Sequence, residues 1–238
     1  MEPLAYRMKP TNLEEFVGQD EIIGKDKLLY RLIKADKLTS AIFWGPPGCG
    51  KTSLARIISN TTNHKFVSLN ATNSGVTDIK SIVEDAQNIF SNPSGKVIVF
   101  IDEIHRFNKM QQDALLPHVE KGIIVLIGAT TENPYFSINK ALLSRSTVFK
   151  FSQLKYNDVL KVLHNCINDK EKGLGNYNLN IEDGTLEYLA INSNGDVRAV
   201  LNALELAVIT TDINENGTIF INKEVISNCM QQKKVMYD

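Results

Sequence analysis

Runs dominated by Val, Ile and Phe recur along the first part of the chain, at Ala41–Trp44, Phe66–Leu69, Val97–Ile101, Ile123–Ile127 and Val148–Phe151. Each has the length of a strand, and segments between them repeat their apolar residues at helical spacing. Ser53–Ser59 reads as a helix after the first run, and Ile79, Ile82, Val83, Ala86, Ile89 and Phe90 stand three and four residues apart after the second. After the third run, Asn108 followed by Gln111 predicts a capped helix start, with Met110, Ala114 and Leu115 on its apolar face and a kink at Pro117. Strands that are apolar along their length and alternate with helices predict a parallel sheet covered on both faces, an α/β fold.

Beyond Ser152 the strand signal fades. Val159, Leu160, Val162, Leu163, Cys166 and Ile167 make one helical stripe, and Leu186, Leu189 and Ala190 make another. A third runs through Val197, Val200, Leu201, Leu204, Val208 and Ile209, and a fourth starts at Val225, Ile226 and Cys229. The segment GTIFIN, Gly217–Asn222, predicts a short edge or hairpin strand. The expected organisation is therefore an α/β domain over residues 1–152 and a small helical domain over 153–238. The closing QQKKVMYD carries no helix stop, as expected of a piece of a longer chain.

Composition narrows this little. With 238 residues, 43% hydrophobic and 22% charged, the chain has the make-up of a globular protein. No apolar stretch is long enough to span a bilayer, and the start lacks the apolar core of a secretory signal, so the expectation is a cytoplasmic protein with no membrane partner. Three widely spaced cysteines, Cys49, Cys166 and Cys229, fit neither a disulfide framework nor a zinc site. A net charge of −1 argues against a protein that merely coats nucleic acid, while leaving a local basic surface open.

The chemistry lies in three stretches. WGPPGCGKTS, from Trp44 to Ser53, holds a phosphate loop between a predicted strand and a predicted helix. Gly45, Pro46, Pro47, Gly48, Cys49 and Gly50 let backbone amides close around phosphate oxygens, Lys51 reaches the β and γ phosphates, and Thr52 ligates magnesium, with Ser53 in the helix's first turn. Cys49 reads as a tolerated small residue rather than a redox switch. In KVIVFIDEIHRF an apolar run ends on Asp102 and Glu103: a magnesium-binding carboxylate, acting through a metal-bound water, and a base for an attacking water are what such a loop requires nearby. In IIVLIGATTENP either Thr130 or Thr131 would lie beside the γ phosphate if this strand neighbours the previous one.

Two arginines have open readings. Arg145, before the fifth run, either bonds a backbone carbonyl or projects toward a neighbouring subunit's nucleotide. Arg198, in the first turn of a helix, is either drawn outward by an anion such as phosphate or paired with Asp196 or Glu205. The four histidines, His64, His105, His118 and His164, lack metal-ligand spacing and read as satisfied or solvated imidazoles.

Together these residues resemble the AAA+ ATPases, with Gly45–Thr52 as Walker A, Val97–Glu103 as Walker B, Thr131 as sensor 1, Arg145 as arginine finger and Arg198 as sensor 2. The segment Arg7–Gly24 is similar to the one that wraps the adenine in clamp-loader relatives and the Holliday-junction helicase RuvB. PLAYRMKPTNLEEFVGQ, DEIHRFNKMQQDALLPHVEKG and LIGATTENPYFSINKALLSRS resemble the replication-associated recombination protein A family more closely, differing mainly at Met110, Tyr135 and Ser137–Ile138. This resemblance implies an ATPase using ATP and Mg2+, acting on DNA at stalled or damaged forks, with preference for DNA ends or single-strand junctions, from a nucleoid-associated position. It also implies contact with single-strand-binding protein and replisome components, and tetramers formed through a further helical region outside this sequence. A nucleotide-gated clamp-loader-like binding subunit and a RuvB-like branch-migration motor are the alternatives.

Overall fold

A computed structural model of the chain describes residues 2–87 and 96–230. The expected apolar positions Ile89 and Phe90 and the terminal QQKKVMYD lie outside the described residues. The chain divides into two compact units, Pro10–Ser152 and Met1–Lys9 with Gln153–Asp238.

The first unit carries five strands, β1 (Ala41–Trp44), β2 (Lys65–Asn70), β3 (Val97–Asp102), β4 (Ile124–Thr130) and β5 (Thr147–Lys150), in the order β2-β3-β4-β1-β5. Every pairing is parallel, so all five carboxyl ends open on one edge. Successive residues of the inner strands feed opposite cores. Ala41 and Phe43 of β1 join Ile98 and Phe100 of β3 on one face, with Leu54, Ile57 and Ile58 from the helix Lys51–Thr61. Ile42, Val97, Val99 and Ile101 join the other, with Ile79 and Val83 from Val76–Gln87 and Leu115 from Lys109–Glu120. The chain thus has the predicted five-stranded parallel sheet flanked by helices.

Several boundaries differ from the pattern. β4 starts at Ile124 and runs on through Gly128 and Ala129 to Thr130, beyond the apolar run Ile123–Ile127. A Cβ at Gly128 would meet Ile104 at 2.8 Å and Ile42 at 2.9 Å, so the glycine allows side chains from β1 and the turn after β3 to close over the strand. The helix Lys109–Glu120 has the expected capping box, with Asn108 accepting from the Gln111 amide, and Pro117 lies inside it without ending it.

The second unit packs the helices Tyr156–Asn168, Thr185–Ile191, Val197–Thr210 and Lys223–Cys229 around a shared apolar core. Ile209, expected on the buried stripe, is 61% exposed. The GTIFIN strand is present as β7 (Ile219–Ile221), but it pairs in parallel with β6 (Leu179–Ile181), a segment too short to show a period. A single antiparallel bridge, Ile213 to Ile219, closes a tight turn beside it.

The first nine residues depart from the expected 1–152 domain. They group with the helices because Leu4 is fully buried in the helical core and the Arg7 guanidinium donates to the carbonyls of Lys172 and Gly173 and pairs with Glu205 at 3.5 Å. Among the described residues no helix is long and apolar enough to cross a membrane.

Candidate functional site

The loop leaving β1 is shaped by its glycines. A Cβ at Gly45 would lie 2.4 Å from the Phe151 carbonyl oxygen, so β1 and β5 close on each other only with glycine there. Gly48 and Gly50 have φ of 70° and 103°, the left-handed region that turns the chain into the helix Lys51–Thr61. The first amides of that helix have no partners within it and face out of its N-terminus. Lys51 is 7% exposed, and its ammonium donates to the Gly45 and Pro46 carbonyls at 2.7 Å each. The cation is thus fixed inside the loop it serves.

Gln19, itself left-handed at φ 62°, braces this loop: its amide donates to the carbonyls of Cys49 at 3.2 Å and Ser152 at 2.6 Å and accepts from the Ser152 amide at 2.9 Å. The Phe16 ring lies against Gly50. The Arg7–Gly24 stretch therefore reaches the phosphate loop through Phe16 and Gln19.

From β3, Asp102 arrives at the same point. The Thr52 hydroxyl donates to Asp102 Oδ2 at 3.2 Å, joining the loop after β1 to the end of β3 although β4 lies between those strands. The other Asp102 oxygen accepts from the Glu103 amide at 3.2 Å. Glu103 has φ 55°, and this left-handed residue turns the chain sharply after the strand, separating the two adjacent carboxylates. Thr52 and Asp102 offer hydroxyl and carboxylate oxygens side by side, hard donors that fit magnesium, which takes one or two protein ligands and completes its shell with phosphate oxygens and water.

β4 supplies the third corner. Thr130 is fully buried and paired in register with Trp44; its carbonyl accepts from the Gly45 amide at 3.2 Å. Its hydroxyl lies 2.9 Å from Nδ1 of His105, whose Nε2 is 3.3 Å from Glu103 Oε2. Thr131, by contrast, is exposed. Sequence reasoning missed His105: it has no metal-ligand spacing, and its meaning depends on β4 lying beside β3. His105 is a satisfied imidazole, as expected from the sequence, whereas Nδ1 of His64 and of His118 is buried without a hydrogen-bond partner among the described residues. Burial and nearby Lys121 lower the pKa of His118.

Arg145 stands apart from this cluster. Its guanidinium pairs with Glu120 and donates to the Ala141 carbonyl at 2.9 Å and the Ser144 hydroxyl at 3.1 Å. Arg198 belongs to the helical unit and is exposed in the first turn of Val197–Thr210. The partners proposed for it are engaged elsewhere, Asp196 capping Ala199 and Glu205 pairing with Arg7. Among the described residues no carboxylate forms an ion pair with Arg198.

The chain is similar to known proteins along its whole length. The model for the ATPase family associated with various cellular activities (AAA) matches residues 41–154, and the model for the AAA C-terminal domain matches residues 175–238. Replication-associated recombination protein A of Bacillus subtilis is 42% identical over 238 residues, covering 100% of this chain and 55% of the relative. Its Coxiella burnetii counterpart is 45% identical over 236 residues, covering 99% and 53%. ATPase WRNIP1 of Dictyostelium discoideum is 42% identical over 206 residues, 87% of this chain and 23% of that protein. The chain spans about half the length of the recombination-protein relatives it matches. Among solved structures, a variant of Thermotoga maritima RuvB superimposes with a TM-score of 0.74 at 24% identity, covering 94% of this chain and 72% of that one. At that identity the likeness shows a shared fold.

Proposed function

Because the chain belongs to the AAA ATPases of the replication-associated recombination protein A family, we propose that its α/β unit binds ATP with magnesium and cleaves the γ phosphate, and that the full protein spends this cleavage on remodelling DNA, or a DNA-bound complex, during replication and recombination. The observation that carries the reading is the Thr52–Asp102 hydrogen bond, which joins the loop of one strand to the acidic end of another at 3.2 Å.

Each group then has a task. The loop amides and the N-terminus of Lys51–Thr61 bind the phosphate chain, and Lys51 exchanges the Gly45 and Pro46 carbonyls for phosphate oxygens. Thr52, and Asp102 through a bound water, would hold magnesium, which would supply positive charge to offset that of the phosphates. Glu103 orients the attacking water and takes its proton as the oxygen bonds to phosphorus and the bond to the β-phosphate oxygen breaks. Thr130 or Thr131 senses the γ phosphate, Arg145 acts on a neighbouring subunit's nucleotide, and Arg198 serves as the phosphate-sensing cation of the helical unit. DNA, single-strand-binding protein, replisome components and further copies of the chain are the partners this reading carries over from the family resemblance.

The test is Glu103→Gln, which keeps the shape and removes the base. It should lower turnover by roughly 10² to 10⁴-fold while leaving the affinity for ATP with magnesium, measured by calorimetry, nearly intact. A variant that turns over at the parental rate removes Glu103 from the role of base. Comparing rates with and without forked DNA separates a remodeller, which DNA stimulates, from a binding subunit gated by nucleotide.

A further inference from the structure

The chemistry assigned to Lys51, Thr52, Asp102 and Glu103 leaves His105 unused, yet this imidazole is 8% exposed and contacts the base itself. Among the described residues it is the only side chain within ion-pair reach of the Glu103 carboxylate.

The proton arrangement follows from the neighbours. Nε2 faces Glu103 Oε2 at 3.3 Å and Glu132 Oε1 at 3.7 Å. A bare ring nitrogen would turn a lone pair toward two carboxylates, so Nε2 carries the hydrogen. In the neutral ring Nδ1 is then an acceptor, and the Thr130 hydroxyl lies nearer to it, at 2.9 Å, than to its other acceptor, the Glu132 carbonyl at 3.4 Å. The Thr130 oxygen in turn accepts from the Glu132 amide at 3.0 Å. A directed set of contacts results: the Glu132 amide donates to Thr130, the Thr130 hydroxyl donates to His105, and the far ring nitrogen of His105 stands at ion-pair distance, 3.3 Å, from Glu103.

The two ends of this set differ in stiffness. Thr130 is fully buried and held in the sheet by its pairing with Trp44 of β1. Glu103 is at a left-handed turn with its side chain 35% exposed, so without a partner its carboxylate would sample several rotamers. We propose that His105 is a positioning residue: it anchors one oxygen of Glu103 to the rigid end of β4, leaving the other oxygen free to meet the attacking water. This rests on the reading of Glu103 as the base. A base displaced by about an ångström costs on the order of 10²-fold in rate.

Substitutions that mimic one ring nitrogen each make the test. Gln places an amide nitrogen near the Nε2 position and retains a donor toward Glu103, whereas Asn reaches only the Nδ1 position and loses it. In the full chain, His105→Asn and His105→Ala should lower kcat roughly 10- to 100-fold, with KM and calorimetric ATP affinity within about twofold of the parent. His105→Gln should recover most of the rate. A purely structural imidazole would instead give losses that follow the melting temperature, with Gln no better than Asn, and that result overturns the proposal. If Glu103→Gln removes turnover while all three His105 variants match the parent, the role of His105 fails alone. If Glu103→Gln retains turnover, the base assignment fails first.

Discussion

Cys49 illustrates how a residue inside a reactive loop can be chemically quiet. Burial pushes its thiol pKa up, with Lys51 opposing, and in the helical unit burial pushes that of Cys166 up to about 12. The thiolate is the nucleophile, so a raised pKa keeps both groups protonated and inert at pH 8. Iodoacetamide at that pH should label the half-buried Cys229 first, with Cys49 and Cys166 reacting after unfolding in urea, as read by peptide mass spectrometry. Rapid labelling of Cys49 in the folded protein would contradict this. The same scale shows the reach of spacing. Lys51, Thr52, Asp102 and Glu103 are recognisable because each type follows from the chemistry of a phosphate and its metal. His105 is not, because its partner Thr130 lies 25 residues further on and gains meaning only through strand order. Thr130 and Thr131 are equivalent on paper, yet one hydroxyl is buried against the imidazole and the other residue is exposed.

The strands decide what Arg145 can reach. Thr147, at the start of β5, pairs with Ala41 at the start of β1, whereas the phosphate loop leaves β1 after Trp44. Three residues of strand separate these levels, about 10 Å at 3.3 Å per residue. Arg145 precedes Thr147 and so sits toward the opposite edge of the sheet from its own loop. This geometry places Arg145 away from its own chain's phosphate loop, as the proposed role on a neighbouring subunit requires. Arg145→Ala should therefore lower turnover by roughly 10³-fold where subunits associate and leave a dilute monomer unchanged, which ATPase assays alongside mass measurement across concentration would report. An equal loss in a demonstrated monomer would remove the assignment in trans. The five long strands were legible because their apolar runs are bounded by polar loops. β6 was not, since Leu179–Ile181 offers three residues and no period.

For the molecule as a whole, the division into units cuts across chain order. Leu4 is fully buried in the helical core, and its amide donates to Glu205 at 2.9 Å. Leu4→Ala should cost about 2–5 kcal/mol and speed amide hydrogen exchange in Tyr156–Asn168 and Val197–Thr210; unchanged exchange there would show that the first residues do not support that unit. What the sequence determined by itself is local or periodic: the phosphate loop, the paired acids, the parallel α/β plan, the capping box at Asn108 and the stripes of the helical unit. These depend on residue type and on spacings of two or three to four, which a single chain displays. Only the tertiary structure decided that residues 1–9 join the helices, that Gln19 braces the loop, and that Thr130, His105 and Glu103 stand in a row of polar contacts. Such contacts join residues far apart in sequence, and their energies depend on a distance and direction that exist only after the sheet has set its strand order.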